Sequence, residues 1–116
     1  MKKFLAIYTG SPAAMERWSG LSDAERKQRE TSGMAAWTEW SQNHAASIVE
    51  QGSPLGKTKR IAPEGLSDIR NMIAAYTIVQ AASHEAAAKI FENHPHFTIF
   101  PGDSVEIMEC LPLPTR

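Results

Sequence analysis

Short apolar segments separated by turn residues predict four β-strands. Residues 4–8 (FLAIY) are rich in β-forming side chains and precede a Gly-Ser-Pro turn, so they predict the first strand. Residues 72–81 are apolar at both odd and even positions, which predicts a strand buried on both faces. Residues 48–61 predict an irregular edge strand, because one proline and two glycines interrupt them. A loop is expected over 62–68, and residues 104–111 predict the last strand.

Three segments begin with the signals that start helices. Residues 11–18 begin with Ser-Pro, a favourable cap and first position for a short helix. Residues 22–47 begin with Ser-Asp-Ala-Glu, a capping box that predicts the start of a long helix. Residues 83–93 begin with a serine cap, and Pro95 is expected to stop this last helix.

The resulting order, β-α-β-β-α-β, predicts an α+β domain of the ferredoxin-like type that spans residues 1–116. Two helices are expected on one face of a four-stranded antiparallel sheet. The strand at 72–81 would then leave apolar side chains on the opposite face, where each burial is worth about 1.5–3 kcal/mol. A second subunit is the simplest cover for such a face, so the sequence predicts a homodimer.

Composition narrows the functional classes. Twelve Lys and Arg against 13 Asp and Glu give a net charge of −1, which argues against a nucleic-acid partner because such proteins carry a basic surplus. A single cysteine excludes an internal disulfide and fits a cytoplasmic protein. The apolar runs are too short to span a membrane. A cytoplasmic domain without nucleic-acid or membrane partners is therefore expected.

Two segments resemble a known family. Residues 74–95 (AAYTIVQAASHEAAAKIFENHP) and 101–114 (PGDSVEIMECLPLP) look like the C-terminal half of YCII-related, DGPF-type domains. Residues 52–55 (GSPL) resemble the Gly-x-x-Leu second strand of that family. The resemblance implies a ferredoxin-like dimeric α/β barrel. It also implies lyase or dehalogenase-type chemistry on small aromatic compounds, or an accessory role beside alternative sigma factors.

The sequence departs from that family at two places. The Asp-Gly-Pro-Phe stretch is replaced by residues 63–68 (PEGLSD), and residues 9–11 (TGS) stand where family members often carry a histidine after the first strand. The His/Asp pair of the family therefore has no counterpart here. Any acid or base must come from other residues.

His94 and His96 flank Pro95 and are the first candidates. Either ring suits proton transfer near neutral pH, and two histidines two positions apart are also a possible metal pair. No Asp, Glu or Cys stands at a helpful short spacing to complete a ligand set, so no metal is expected. For His94 the plainer alternative is to close the helix C-terminus; His96 is a candidate for a pocket wall.

An aromatic face on the long helix supplies the second set of candidates. Trp37, Trp40 and His44 follow one another at helical spacing, and Tyr76 is expected on the facing sheet. Together they predict an aromatic-lined cleft between helix and sheet, with His44 as acid or base. The alternative is that the aromatic rings and His44 are ordinary core.

Lys57 begins a small basic run with Lys59 and Arg60. This run suits a substrate carboxylate, although a solvated edge strand explains it equally well. Two functions stay open from sequence. One is a cofactor-free enzyme of lyase, isomerase or dehalogenase type that uses His44 or His96 on a small aromatic or acidic molecule. The other is a non-catalytic ligand-binding or accessory homodimer with the same cleft.

Overall fold

The computed structural model describes residues 1–114. Its elements, in chain order, are β1 (Lys2–Thr9), α1 (Pro12–Ser19), α2 (Asp23–Asn43), β2 (Ile48–Glu50), β3 (Thr58–Ala62), β4 (Gly65–Ile69), β5 (Ile73–Ala81), α3 (His84–Lys89), α4 (Pro95–Thr98) and β6 (Ser104–Glu109). β2, β5, β1 and β6 form one sheet in that spatial order, and each neighbouring pair is antiparallel. The predicted α+β class with a four-stranded antiparallel, ferredoxin-like sheet is thus confirmed.

The helix starts follow from their caps. The Ser11 hydroxyl accepts a hydrogen bond from the amide of Ala14 at the start of α1. At the start of α2, the Ser22 hydroxyl accepts from the amide of Glu25 while the Glu25 carboxylate accepts from the amide of Ser22. Both arrangements satisfy amides that have no partner within the helix.

The core lies between these helices and one face of the sheet. Phe4, Ala6 and Tyr8 of β1 and Val79 of β5 are fully buried, and Trp40 of α2 packs onto them. On the opposite face of the sheet, called the outer face, β1 carries half-buried Leu5 and Ile7, and β5 carries half-buried Tyr76 and Ile78. The expectation that the strand at 72–81 is buried on both faces is therefore wrong within one chain.

The structure also corrects the segment that follows α2. The predicted strand over 48–61 ends at Glu50, because the chain turns at Gly52 with a φ of 72°. The predicted loop over 62–68 is wrong: β3 and β4 pair as a hairpin whose turn leads into Gly65 with a φ of 123°. We call residues 58–69 the arm.

The predicted helix over 83–93 is shorter than expected. α3 ends at Lys89, and Pro95 begins α4 instead of stopping a helix, because a fixed φ and a missing amide proton suit a first helical position. His94 accordingly caps the N-terminus of α4. The alternative reading in which His94 closes a helix C-terminus is wrong.

The chain is more extended than its mass requires. Its accessible surface is 8261 Å², about 2,000 Å² above the ~6,300 Å² usual for a folded monomer of 12.8 kDa. Its radius of gyration is 16.3 Å, against about 13 Å for a compact chain of this length. Among residues 1–114 no helix has the length and apolarity needed to cross a membrane. The cytoplasmic location stays a prediction.

Candidate functional site

A cavity of about 230 Å³ lies between α2 and the segment that joins β2 to the arm. We call it the α2 cavity. Met34 and Trp37 line it from the helix, residues 51–54 from the connecting segment, and Ala75 and Tyr76 from β5. Two of the predicted site residues, Trp37 and Tyr76, therefore meet in one cavity between the long helix and the sheet.

Gly52 allows the wall of this cavity to approach β5. A Cβ atom on Gly52 would lie 1.8 Å from the carbonyl oxygen of Tyr76, and the backbone of Gly52 has a φ of 72°. Both features favour glycine. The close approach lets the Tyr76 amide donate to the Ser53 carbonyl at 3.3 Å, which fixes the position of the wall.

Tyr76 lines the cavity from β5, and its hydroxyl reaches Glu50, which is not among the lining residues. Its hydroxyl donates to Oε1 of Glu50 at 2.9 Å. This hydrogen bond and the negative charge of Glu50 raise the pKa of the exposed Tyr76 hydroxyl. The phenol therefore stays protonated at neutral pH and presents an acid beside a base.

Behind Trp37 lies a buried set of rings, which we call the aromatic cluster. Its members are Tyr8, Trp37, Trp40, Phe91, His94 and His96. Trp37 belongs to both features, because it lines the α2 cavity and its ring centroid lies 4.5 Å from that of His94 at an interplanar angle of 89°. The indole is thus the wall between the cavity and the cluster.

His94 is fully buried at the centre of the cluster. Its Nδ1 accepts a hydrogen bond from the amide of His96 at 3.0 Å, so the neutral ring carries its proton on Nε2. Within the described chain Nε2 has no hydrogen-bond partner. The rings of Trp37 and Trp40 stand nearly perpendicular to His94, with centroids 4.5 and 4.4 Å away, and their π faces offer a weak acceptor.

Burial, and to a smaller extent repulsion from positive charge on His96 and His44, lower the pKa of His94 to about 3. The ring is consequently neutral at physiological pH. It is a hydrogen-bond donor at Nε2 rather than a proton acceptor.

His96 is held against the end of β1. Its Nε2 donates to the carbonyl oxygen of Thr9 at 2.7 Å, and a Cβ on Gly102 would come within 2.2 Å of the ring. Burial lowers the pKa of His96, while the Thr9 carbonyl and the charge of Asp103 act in the opposite direction. Nδ1 is the nitrogen left for proton transfer.

Trp40, a member of the aromatic cluster, and His44 beside it do not line the α2 cavity. The Nδ1–H of His44 donates to the Trp40 carbonyl at 2.9 Å at the C-terminus of α2. The indole of Trp40 is 7% exposed and donates to the Ile90 carbonyl at 2.8 Å. Trp40 is therefore a core residue. In His44, Nε2 is the ring nitrogen that is available for other contacts.

Lys57 is separated from the other candidates. It lies at the root of the arm, in a cavity of about 860 Å³ that it shares with Lys59 and Arg70. The structure thus joins Trp37 with Tyr76 in the α2 cavity and joins Trp37 with the buried histidines, but it leaves Lys57 elsewhere.

Tyr8 is the member of the site that sequence reasoning missed. Its hydroxyl and that of Thr77 are 2.9 Å apart, and Thr77 donates to the Gln51 carbonyl at 3.0 Å. These two hydrogen bonds connect Tyr8 of the aromatic cluster to Gln51 in the wall of the α2 cavity. Burial raises the pKa of Tyr8 to about 12, against the effect of the Thr77 bond. The only sequence signal was its place on the same strand face as Phe4 and Ala6.

Metal ligands are not grouped in the part of the chain that the structure describes: it contains no set of three or more His, Cys, Asp or Glu side chains suited to a metal ion. His94 and His96 are close neighbours, but each has one ring nitrogen bonded to the backbone. The chemistry that the site can perform with its own residues is aromatic stacking, hydrogen bonding and proton transfer.

The fold defines an α+β protein of ferredoxin-like type with a small cavity beside its long helix. A solved structure with this fold is 5-chloro-2-hydroxyhydroquinone dehydrochlorinase (TftG) from Burkholderia phenoliruptrix AC1100, in complex with 2,5-dihydroxybenzoquinone. It is 17% identical, covers 91% of this chain and 90% of its own, and superposes with a TM-score of 0.54. No family model and no curated protein matches the sequence. The similarity supports the predicted fold, and membership of the YCII-related family stays a prediction.

Proposed function

We propose that the protein binds a small, single-ring molecule of phenolic or acidic type in the α2 cavity. The observation that carries this proposal is the position of Trp37, which offers an indole surface to a cavity of about 230 Å³. An apolar cavity of about 150 Å³ accommodates benzene, so one substituted six-membered ring matches the available volume. Gln51 and Ser53 in the cavity wall then favour ligands that carry hydroxyl or other polar groups.

The proposal predicts a specific loss of binding on Trp37→Ala. With 2,5-dihydroxybenzoquinone as the probe, calorimetry should show at least a tenfold weaker affinity for this variant, because ring stacking and cavity closure are both lost. Trp18→Ala is the matched control, since Trp18 is also half-buried but lines a different cavity. Equal affinities of the two variants, both folded by circular dichroism, would contradict the assignment of the site.

A second candidate function is elimination of hydrogen chloride from such a ring. The fold similarity to a dehydrochlorinase favours it, together with the hydrogen bond between the cavity-lining Tyr76 and the neighbouring Glu50. In this reaction the Glu50 carboxylate, reached through the Tyr76 hydroxyl, takes a substrate proton. The ring reacts as its keto tautomer, in which the carbon that bears chlorine is tetrahedral and carries a hydrogen. The electron pair of the deprotonated enol hydroxyl forms a C=O bond, the neighbouring C=C pair shifts to form a double bond to the carbon that bears chlorine, and the C–Cl bond breaks with loss of chloride, so the reaction needs no external oxidant or organic cofactor.

Chloride release from 5-chloro-2-hydroxyhydroquinone tests this second function. Tyr76→Phe should lower kcat by about 10²-fold, within the range of general acid–base catalysis. The predicted catalytic roles of His44 and His96 stay predictions and are tested by His44→Gln and His96→Gln, with the exposed His84→Gln as control. Binding of the quinone without chloride release by the wild-type protein would leave the non-catalytic, ligand-binding function.

The protein is further proposed to act as a homodimer through its outer sheet face. Leu5 stands between Ile78 and Met108 in the register of three adjacent strands, and the helices pack their core side chains on the other face. The excess accessible surface of about 2,000 Å² matches the area of 1,000 Å² or more that each chain buries in an obligate homodimer. A second copy therefore accounts for the extended surface.

A further inference from the structure

The arm stands apart from the rest of its own chain. Ten of its twelve residues are exposed, and β3 and β4 form a two-stranded sheet that no other strand of residues 1–114 joins. Within the part of the chain that the structure describes, the side-chain hydrogen bond that joins the arm to the rest of the protein runs from the adjoining Asn71 to Thr58. A two-stranded hairpin alone in water is marginally stable, so an ordered arm calls for a surface to pack against.

One face of the arm carries two apolar side chains that are exposed to solvent in the single chain. Ile61 and Leu66 are directly opposite each other near the tip and are 82% and 68% exposed. The adjacent pair on the same face, Lys59 and Asp68, is an ion pair of 2.7 Å, so its charges are already matched. This face of the arm thus presents an apolar pair of side chains next to an ion pair without net charge, as expected for a contact surface.

A second copy of this chain is the occupant that the surface area supports. The arm continues directly into β5, whose outer-face residues Tyr76 and Ile78 belong to the proposed dimer surface. In the proposed dimer, the base of the arm would therefore lie next to the partner subunit. Both regions contribute to the accessible surface of 8261 Å² of the single chain, and residues 70–72 alone separate them along the chain.

We infer that the arm packs against the partner subunit, with Ile61 and Leu66 buried at the contact. This inference rests on the proposed homodimer. It adds a reciprocal exchange of arms in which two-fold symmetry makes each chain both donor and acceptor. The arm is then an ordered part of the dimer and not a free projection.

The test compares two charge substitutions on opposite faces of the arm. Ile61→Glu puts a carboxylate into the proposed contact, whereas Ser67→Glu puts the same group beside Arg60 on the other face. By sedimentation equilibrium the wild-type protein should be a dimer, and Ile61→Glu should raise its dissociation constant at least tenfold. The dimer of the Ser67→Glu variant should have the same dissociation constant as the wild-type dimer.

Hydrogen exchange gives a measurement that does not depend on a variant. In the wild-type dimer the amides of 58–69 should be protected, and dilution to the monomer should remove this protection while β1 stays protected. A dimer with an unprotected arm, or with equal dissociation constants for both variants, would overturn the arm contact alone. A wild-type species of 12.8 kDa at every concentration would overturn the homodimer itself.

Discussion

Lowering the pH from 7 to 4 should reduce the free energy of unfolding by about 3 kcal/mol through His94 alone. In the folded protein the pKa of His94 is lowered from 6.5 to about 3, while the unfolded chain keeps an ordinary histidine. Between these two values the unfolded state binds the extra proton. Stability is therefore fully present above pH 6.5, and it is lost as the pH falls toward 3, by up to ~1.4 kcal/mol per pH unit.

His94→Asn isolates this effect. The asparagine oxygen replaces Nδ1 as an acceptor for the His96 amide and is a favoured N-cap for α4, but it does not titrate. The variant is less stable at pH 7, because removing the ring leaves a cavity between Trp37 and Trp40. Urea unfolding at pH 7, 6, 5 and 4 should show the difference between wild type and variant shrinking by about 3 kcal/mol.

Val79→Ala is the control for the pH experiment. Val79 is fully buried and does not titrate, so this variant should be less stable by about 2 kcal/mol at every pH. Its unfolding free energies should run parallel to those of the wild type. If the free energy of unfolding of His94→Asn also differed from that of the wild type by a constant amount at every pH, His94 would be protonated or solvated in the folded protein.

The elements that the sequence predicts well are those whose signals are local. The capping box of Ser22 and Glu25 is complete within four residues, and β1 has its strand composition within residues 4–8. The order of these elements was enough for the ferredoxin-like arrangement, because few topologies accommodate it. The cleft between α2 and the sheet followed from the helical spacing of the aromatic residues.

The features that were missed depend on contacts between distant parts of the chain. The sequence around His94 gives no sign of its burial, because Tyr8, Trp37 and Trp40 enclose it from β1 and α2. The arm was read as a strand and a loop, since polar residues dominate it and only Ile61 and Leu66 mark its pairing. Lys57 was a candidate for binding a substrate carboxylate, but it lines a separate cavity at the root of the arm.

Gly52→Ala should lower the free energy of unfolding by about 3 kcal/mol, which makes Gly52 the most sensitive wall position of the α2 cavity. A left-handed φ costs a non-glycine residue roughly 1–2 kcal/mol, and forcing a methyl group into a packed site adds a similar amount. The new Cβ would lie 1.8 Å from the carbonyl oxygen and 2.7 Å from the carbonyl carbon of Tyr76, and a change of side-chain rotamer cannot move these backbone atoms.

Relief of this clash must separate the 51–54 segment from β5. That movement stretches the bond from Tyr76 to the Ser53 carbonyl and the bond from Thr77 to the Gln51 carbonyl, which also holds Tyr8. Gly52→Ala should therefore weaken binding of 2,5-dihydroxybenzoquinone together with stability. Thermal or urea unfolding and calorimetry on the same preparation measure the two effects.

Gly56→Ala provides the matched control four residues along the same segment. Among residues 1–114, apart from Gly56 and its two chain neighbours, no atom lies within 4 Å of a Cβ at Gly56, and its backbone φ is not left-handed, so alanine there should be neutral or stabilising by about 0.4–1 kcal/mol. Quinone affinity should not change in this variant. If Gly52→Ala behaved like Gly56→Ala, the connecting segment would not form the wall of a ligand site, and the proposed binding function would lose its structural basis.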